Sequence, residues 1–345
     1  MSGLSEAGRR SLAAELRVLQ SISPWPGLLH LAVRLSLQVA LSVLAWRAWV
    51  RDDDVTFVAW GLPAALCFSS LLVLSHDALH HRLTGIGWVD EMAGRAISWP
   101  IAWPITTYKY VHLLHHRLSG RDFGDPERIS PRASDWQASG WRRSAMRHQL
   151  WLRMFVTGAF GLLVTLLANV SRRFSDRVVR RAFIVDAVGI LAAMSMLVAL
   201  ASRAQGLHGV LGLALLWLMH ERMVGVMHQF RVHMEHYGLW GEGGAFMDTQ
   251  YLAARTIRTS FFLRLYFNHL SRHAEHHVAP AIPFYKLERA HGVIADAYRR
   301  EGFVTVETNG YFAALREVTV QMRACFAADG IHAKRLRKVQ DLSEN

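Results

Sequence analysis

Residues 55–81 read VTFVAWGLPAALCFSSLLVLSHDALHH. Up to Ser75 the stretch is almost wholly apolar and matches the ~20 residues that a membrane-crossing helix needs. Its end is of another kind, with His76, Asp77, His80 and His81 crowded into little more than one helical turn. Neutral imidazole has no use for lipid but is a common ligand of transition metals. The stretch therefore predicts a membrane helix that delivers metal-binding side chains to one face of a bilayer.

The same theme runs outward along the chain. Residues 27–50, 152–170, 182–202 and 207–227 are further apolar stretches of membrane length. Residues 88–107 are broken by Asp90, Glu91, Arg95, Pro100 and Pro104, and read as an interfacial or re-entrant segment. Apolar residues make up 52% of the 345 and charged residues only 19%, below the roughly 25% of a soluble domain. The expected fold is an all-α integral membrane protein. It has about four transmembrane helices in two hairpins, interfacial helices, and a cytosolic helical cap that carries the histidines. The whole chain, 1–345, reads as one domain, with 1–26 as a cytosolic N-terminal segment and 286–345 as a cytosolic tail. Residues 1–26 are polar, carry Arg9, Arg10 and Arg17, and do not have the pattern of a signal peptide.

Charge sets the expected orientation. The basic N-terminal segment belongs inside and the loop RDDD at 51–54 outside, so His76 returns to the cytoplasmic face. The segment SRRFSDRVVRR at 171–181 also belongs inside. Three apolar stretches separate His116 from His236, and an odd number of crossings would part them. One stretch must then fail to cross. Residues 152–170 are expected to lie in the interface or re-enter, with 182–202 and 207–227 forming the second hairpin. The competing choice is that 207–227 fails to cross, since His220, Glu221 and Arg222 interrupt it. The net charge of +12 fits a cytoplasmic face against anionic lipid or an acidic partner. No basic stretch is interleaved with aromatic residues as in a nucleic-acid module. Of the 39 basic residues all but Lys109, Lys286, Lys334 and Lys338 are arginine, a bias that suggests a GC-rich bacterial genome and so a bacterial inner membrane.

The histidines fall into tight groups: HDALHH with His76, His80 and His81; HLLHH with His112, His115 and His116; His236 in MEHYGL; and HAEHH with His273, His276 and His277. Positions i, i+3 and i+4 share one face of a helix within a turn, so two such rings can grip one ion. Eight or nine nitrogens exceed what one ion takes and call for two. Cys67 and Cys325 are the only cysteines, which excludes a thiolate site. Asp77, Glu235 and Glu275 are candidates to orient ring N–H groups. His233 and His269 stand near enough in sequence to join them.

These boxes resemble the membrane fatty acid desaturase and hydroxylase superfamily, whose pattern is HxxxH(H), HxxHH and HxxHH. HHVAPAIPFYKL after the last box and GDPE at 124–127 are similar to the family's continuations. RVHMEHYG and LSRHAEHH also resemble the corresponding motifs of membrane alkane hydroxylases. The resemblance implies two iron ions held by His76, His80, His112, His115, His116, His236, His273, His276 and His277. It also implies O2 as co-substrate and an electron donor of ferredoxin, rubredoxin or cytochrome b5 type. His81 stays open between ligand and outer support, because a regular helix turns it about 100° from His80. Where acyl desaturases often carry Asn and an aromatic just before the third box, this chain has Asn268 upstream of Leu-Ser-Arg.

The implied reaction is O2-dependent oxidation of an unactivated C–H bond in a lipid-like chain, with fatty acyl desaturation first. Hydroxylation or ketolation of an alkane, carotenoid or secondary-metabolite chain is the alternative. A membrane metal transporter is remote, since its ligands would sit in mid-span rather than at the ends of apolar runs. A di-haem cytochrome reading of His30, His208 and His220 leaves the boxed histidines unexplained. A zinc protease would need HExxH, which is missing. Trp60, Trp99, Trp103 and Tyr108 read either as lining for a substrate path or as interfacial anchors.

Overall fold

A computed structural model describes residues 3–121, 124–129, 140–239, 244–324 and 336–338. Cys325 and residues 325–335 and 339–345 of the expected cytosolic tail lie outside them. In chain order the helices are α1 (Glu6–Leu19), α2 (Pro24–Trp49), α3 (Asp54–Leu79), α4 (Gly87–Ser98), α5 (Ile105–Leu118) and α6 (Gly140–Arg147). Then come α7 (Gln149–Ser171) and α8 (Arg177–His236), followed by α9 (Phe246–Leu252), α10 (Phe261–Tyr266), α11 (His273–Val278), α12 (Leu287–Arg300) and α13 (Tyr311–Ala324). Among the described residues sheet is confined to two short pairs. β1 (Ile257–Arg258) runs parallel to β3 (Thr308–Asn309), and β2 (Phe303–Thr305) antiparallel to β4 (Leu336–Lys338). The fold is all-α, and α2, α3, α7 and α8 are long and apolar enough to cross a membrane.

The chain forms two compact units. One, here the membrane unit, comprises 23–111 and 151–230; the other, the histidine unit, comprises 1–22, 112–150 and 231–345.

In the membrane unit α2 and α3 form a hairpin capped at its turn by Asp53, whose carboxylate accepts the Thr56 N–H. The outer faces are apolar and exposed, with Val33, Leu37 and Val43 on α2 and Val188, Leu191 and Met196 on α8. Such large exposed apolar surface is what lipid covers. α8 is two helices, because Gln205 and Gly206 leave helical geometry. Its second half runs alongside α3: Leu216 packs with Phe57, Gln38 meets His220, and His228 donates to the Ser69 carbonyl. His208 stacks on Trp49 at 4.7 Å, so the Gln205–Gly206 turn lies at the same end as the turn at 51–53. Arg177 and Arg181 in the first half share a cavity with Ala78 and Leu79 at the other end of α3. Residues 177–204 and 207–230 therefore form the second hairpin, with its arginines at the end away from Asp52–Asp54.

α7 is divided. Gly158, with φ +58 and ψ −145, separates a π-helical piece at Leu152–Thr157 from an α-helix at Gly158–Ser171. A 14-residue helix is about 21 Å long, short of the ~30 Å hydrocarbon core. The break sits beside Gly225, midway along the second half of α8, and Val170 comes back to Val179. Glu221 and Arg222 explain themselves here. Glu221 accepts the Phe160 N–H at 2.9 Å, and Arg222 donates to the carbonyls of Val156 and Thr157 at 2.9 and 3.3 Å. Backbone groups freed inside an apolar layer need such partners.

Residues 88–107 form no continuous helix. α4 ends at Ser98, Trp99–Ile101 is a 3-10 turn, and Ala102 takes φ +59 before α5. Buried Asp186 fixes this joint. Its carboxylate accepts the Trp99 Nε1–H at 2.9 Å and the backbone N–H groups of Thr106 and Thr107 at 3.2 and 2.6 Å. It thereby caps the start of α5 from another helix.

In the histidine unit α1 packs Leu12, Leu16 and Leu19 into a core with Ile294, Ala297 and Tyr298 of α12. Asp248 ties the same elements, accepting Leu4 N–H at 3.2 Å and Tyr298 O–H at 2.7 Å. Fully buried Arg255 donates to the Met234 carbonyl, Glu317 and Gln321 at 3.0–3.1 Å, and so joins the end of α8 to α13.

Candidate metal centre

Three short elements of the histidine unit carry seven of the boxed histidines: the last turns of α5, the end of α8, and α11. His112, His115, His116, His273, His276 and His277 are all buried, and His236 is partly buried. They fall into groups. His112, His116 and His276 bring one ring nitrogen each within 4.8 Å of one another; so do His115, His236 and His277, and so do Glu235, His236 and His273.

Hydrogen bonds fix the tautomers. His112 Nδ1 lies 3.1 Å from Glu127, and His115 Nδ1 2.8 Å from Asp125. His236 Nδ1 lies 3.0 Å from the Ala253 carbonyl. His277 Nδ1 lies 3.1 Å from Gln250 Oε1, whose amide nitrogen donates to the Ser119 carbonyl and so sets its orientation. Carboxylates and carbonyls only accept, so each Nδ1 carries a proton, and in the neutral ring each Nε2 offers a lone pair. The Nε2 atoms of His112, His236 and His277 meet those of His116, His273 and His276: His112 to His116 is 3.1 Å, His116 to His276 3.2 Å, His236 to His273 2.8 Å and His277 to His273 3.2 Å. Two nitrogens each ~2.1 Å from one ion at right angles stand about 3 Å apart. The donor set therefore fits transition-metal ions in at least two places.

Electrostatics agrees. Burial, then the neighbouring rings, hold His273, His276 and His277 well below the usual imidazole range, so they stay neutral and able to ligate. For His115 burial works downward, but Asp125 and Glu127 outweigh it and lift the ring to about 9 in the metal-free protein. Burial pushes Glu127 up, yet His112 and His115 prevail and hold it near about 2. An anionic wall that holds a proton on His115 also attracts a metal cation in its place. A cavity of about 20 Å³ beside His115, Asp125, Glu127 and His236 has room for an ion or a water.

In the membrane unit His76 and His80 close α3, with ring centroids 5.0 Å apart. His81 has left the helix at φ +54, and its Nε2 accepts from Lys109 Nζ at 2.7 Å. Lys109 thus engages one nitrogen of that ring. His208 and His220 are likewise engaged, His208 on Trp49 and His220 with Gln38 and the Leu216 carbonyl, as structural residues rather than haem ligands.

The expected orienting residues divide. Asp77 lies 3.8 Å from His76 Nδ1. Glu235 lies 3.5 Å from His273 Nε2, among the ligating nitrogens rather than behind them. Glu275 turns instead to Thr256 Oγ1 at 2.8 Å and His291 at 2.7 Å, because the i+3 and i+4 faces of α11 are given to His276 and His277. His233 stacks on Tyr237 at 6.2 Å. Asn268 and His269 form a left-handed turn at φ +47 and +63, which carries the chain into α11, with the His269 ring 5.9 Å from Phe284. Sequence reasoning did not single out Asp125, Glu127 or Gln250 as partners of the rings. The GDPE stretch was the available signal for the first two. Arg272, just before the third box, is clamped by Glu288 at 2.7 Å and by Glu307.

The fatty acid desaturase family model matches residues 54–309, well over half of the 345. The chain belongs to that family. No match is found among curated proteins. Membership and the apolar helices together make it an integral membrane oxidoreductase of a family whose members are generally di-iron enzymes.

Proposed function

We propose that this protein is a di-iron enzyme that uses O2 to oxidise an unactivated C–H bond in a lipid-like alkyl chain, with fatty acyl desaturation as the reaction. The convergence of Nε2 atoms at 2.8–3.2 Å in a buried site carries the reading. The ligands would be His112, His115, His116, His236, His273, His276 and His277, joined by His76 and His80 on the strength of their i, i+4 spacing and the family pattern.

Bound iron would supply the one-electron and O2 chemistry that no side chain can perform. The chain's own share is placement. Asp125, Glu127, Gln250 and the Ala253 carbonyl hold the Nδ1 protons and keep each Nε2 aimed inward. Burial excludes bulk water, and Asp186 and Arg272 anchor the helices that bear the second and third boxes. Desaturation consumes one O2, two electrons and two protons, removes two hydrogens from adjacent carbons, and yields an alkene and two waters. The electrons would come from a ferredoxin, rubredoxin or cytochrome b5 type donor, received on a basic face. Hydroxylation takes the same inputs and yields an alcohol and one water. The EHYG motif at 235–238, shared with alkane hydroxylases, favours it as the second reading.

The boxes would face the cytoplasm of a bacterial inner membrane, with α7 re-entrant about Gly158. The interleaved segments of the two units support one functional domain. Feeding deuterium-labelled acyl chains and alkanes to the reconstituted enzyme with donor and O2 tests the reaction. Loss of two deuterium atoms from adjacent carbons supports desaturation. An 18O-labelled alcohol supports hydroxylation, and no O2-dependent product contradicts both.

A further inference from the structure

A cavity of about 460 Å³ lies in the membrane unit between the end of α3, α4, the start of α5 and the start of α8. That volume falls in the range of roughly 300–1,000 Å³ in which proteins hold small ligands. Its wall is of two kinds. Leu79, Ile105, Val178, Ala182 and Val185 supply an apolar surface, and Arg95, Lys109, Arg177 and Arg181 supply charge.

The two lining carboxylates leave Arg177 and Arg181 without a counter-charge. Asp90 is buried and already accepts from the N–H and hydroxyl of Thr84 and from Gly85 N–H, at 2.9, 2.5 and 3.2 Å. Glu91 pairs with Arg95 at 3.6 Å. Arg177 and Arg181, one helical turn apart, have no side-chain hydrogen bond or ion pair among the described residues. Arginines that serve only to bias topology need no cavity. Here they stand over one with an apolar wall, in a bundle whose outer faces are apolar.

We propose that this cavity binds a phosphate-bearing anionic membrane lipid. Arg177 and Arg181 hold the phosphate, Lys109 and Arg95 flank it, and the first acyl carbons lie against Leu79, Ile105 and Val185. Guanidinium groups bind phosphate through paired N–H donors, and the apolar wall favours an amphiphile over a free anion. The site does not depend on the irons or on the reaction proposed above.

Native mass spectrometry of the full-length, delipidated protein tests this with added phosphatidylglycerol, phosphatidylcholine or inorganic phosphate. The wild type is expected to keep one phosphatidylglycerol per chain, at least tenfold more tightly than phosphatidylcholine, and millimolar inorganic phosphate should not displace it. R177Q/R181Q should bind at least tenfold more weakly, R177K/R181K should keep binding, and R172Q/R180Q, which removes two exposed arginines outside the cavity, should match the wild type. Three results would overturn the proposal: equal retention by R177Q/R181Q, equal retention of the two lipids, or displacement by phosphate alone. The comparison of lipids on the wild type decides the matter even if a variant fails to fold.

Discussion

His115 turns Nδ1 to Asp125, 2.8 Å away, and leaves Nε2 buried with no hydrogen-bond partner among the described residues. That orphan nitrogen shares a group with His236 and His277. A buried polar atom without a partner is costly, and a metal ion removes the cost. Asp125→Ala and Glu127→Ala should each weaken metal binding about 10–100-fold, the usual effect of removing the partner of a ligating imidazole. Competition against a chelator measures it. Unchanged affinity in both would mean these carboxylates do not orient ligands.

Acid should empty and loosen the site. His273, His276 and His277 are held below the usual imidazole range when folded. Between that depressed range and about 6.5 the unfolded chain binds more protons, so stability from these rings is complete above ~6.5 and lost as pH falls. His115, lifted to about 9, contributes oppositely, its share present below ~6.5 and lost as pH rises through 9. His236 is held down by burial in the same way, whereas burial lifts Glu235 to about 8, so that its share, like that of His115, is lost as pH rises. Four depressed rings outweigh these two groups between about pH 5 and 7.5. Metal-free protein should melt at a lower temperature at about pH 5 than at pH 7.5, and iron should leave over the same interval. A flat profile would contradict this account.

The Gly158 break should depend on α8. Arg222→Leu or Glu221→Leu leaves carbonyls of Val156 and Thr157, or the Phe160 N–H, without partners in an apolar layer. Each should cost about 1–3 kcal/mol, read from reversible unfolding in mixed micelles. Glu221→Gln, which keeps an acceptor, should cost less. Equal costs would show that the cap is not the reason for these residues.

Asp186 should act on a site it does not line. Asp186→Ala removes the cap of α5, the helix that bears HLLHH, and should cost about 1–3 kcal/mol and lower iron content. Asp186→Asn should fall between. Iron content equal to wild type in Asp186→Ala would separate α5's anchoring from the site.

The helices and the histidines were legible because both depend on local pattern: apolar length for the spans, i, i+3, i+4 spacing for the boxes. The second hairpin at 182–202 and 207–227 followed from charge and parity, and its turn does lie at the end that holds Asp52. Other features depend on where distant segments meet. Glu221 and Arg222 looked like a flaw in a span until the backbone they serve, 61–66 residues away in sequence, was in view. Glu275 looked like a partner for its neighbouring histidines, but the helix turns it to Thr256 and His291. His81 was ambiguous because its fate rests on one left-handed residue at the end of α3, a backbone choice that spacing does not encode.

The most direct test is metal content with Mössbauer spectra on iron-supplemented, detergent-purified protein, beside His112→Ala and His276→Ala. The account predicts close to two irons per chain in a coupled pair, with at least one lost in each variant. One metal or none in the wild type, or variants that match it, would contradict the claim that these histidines form a di-iron site.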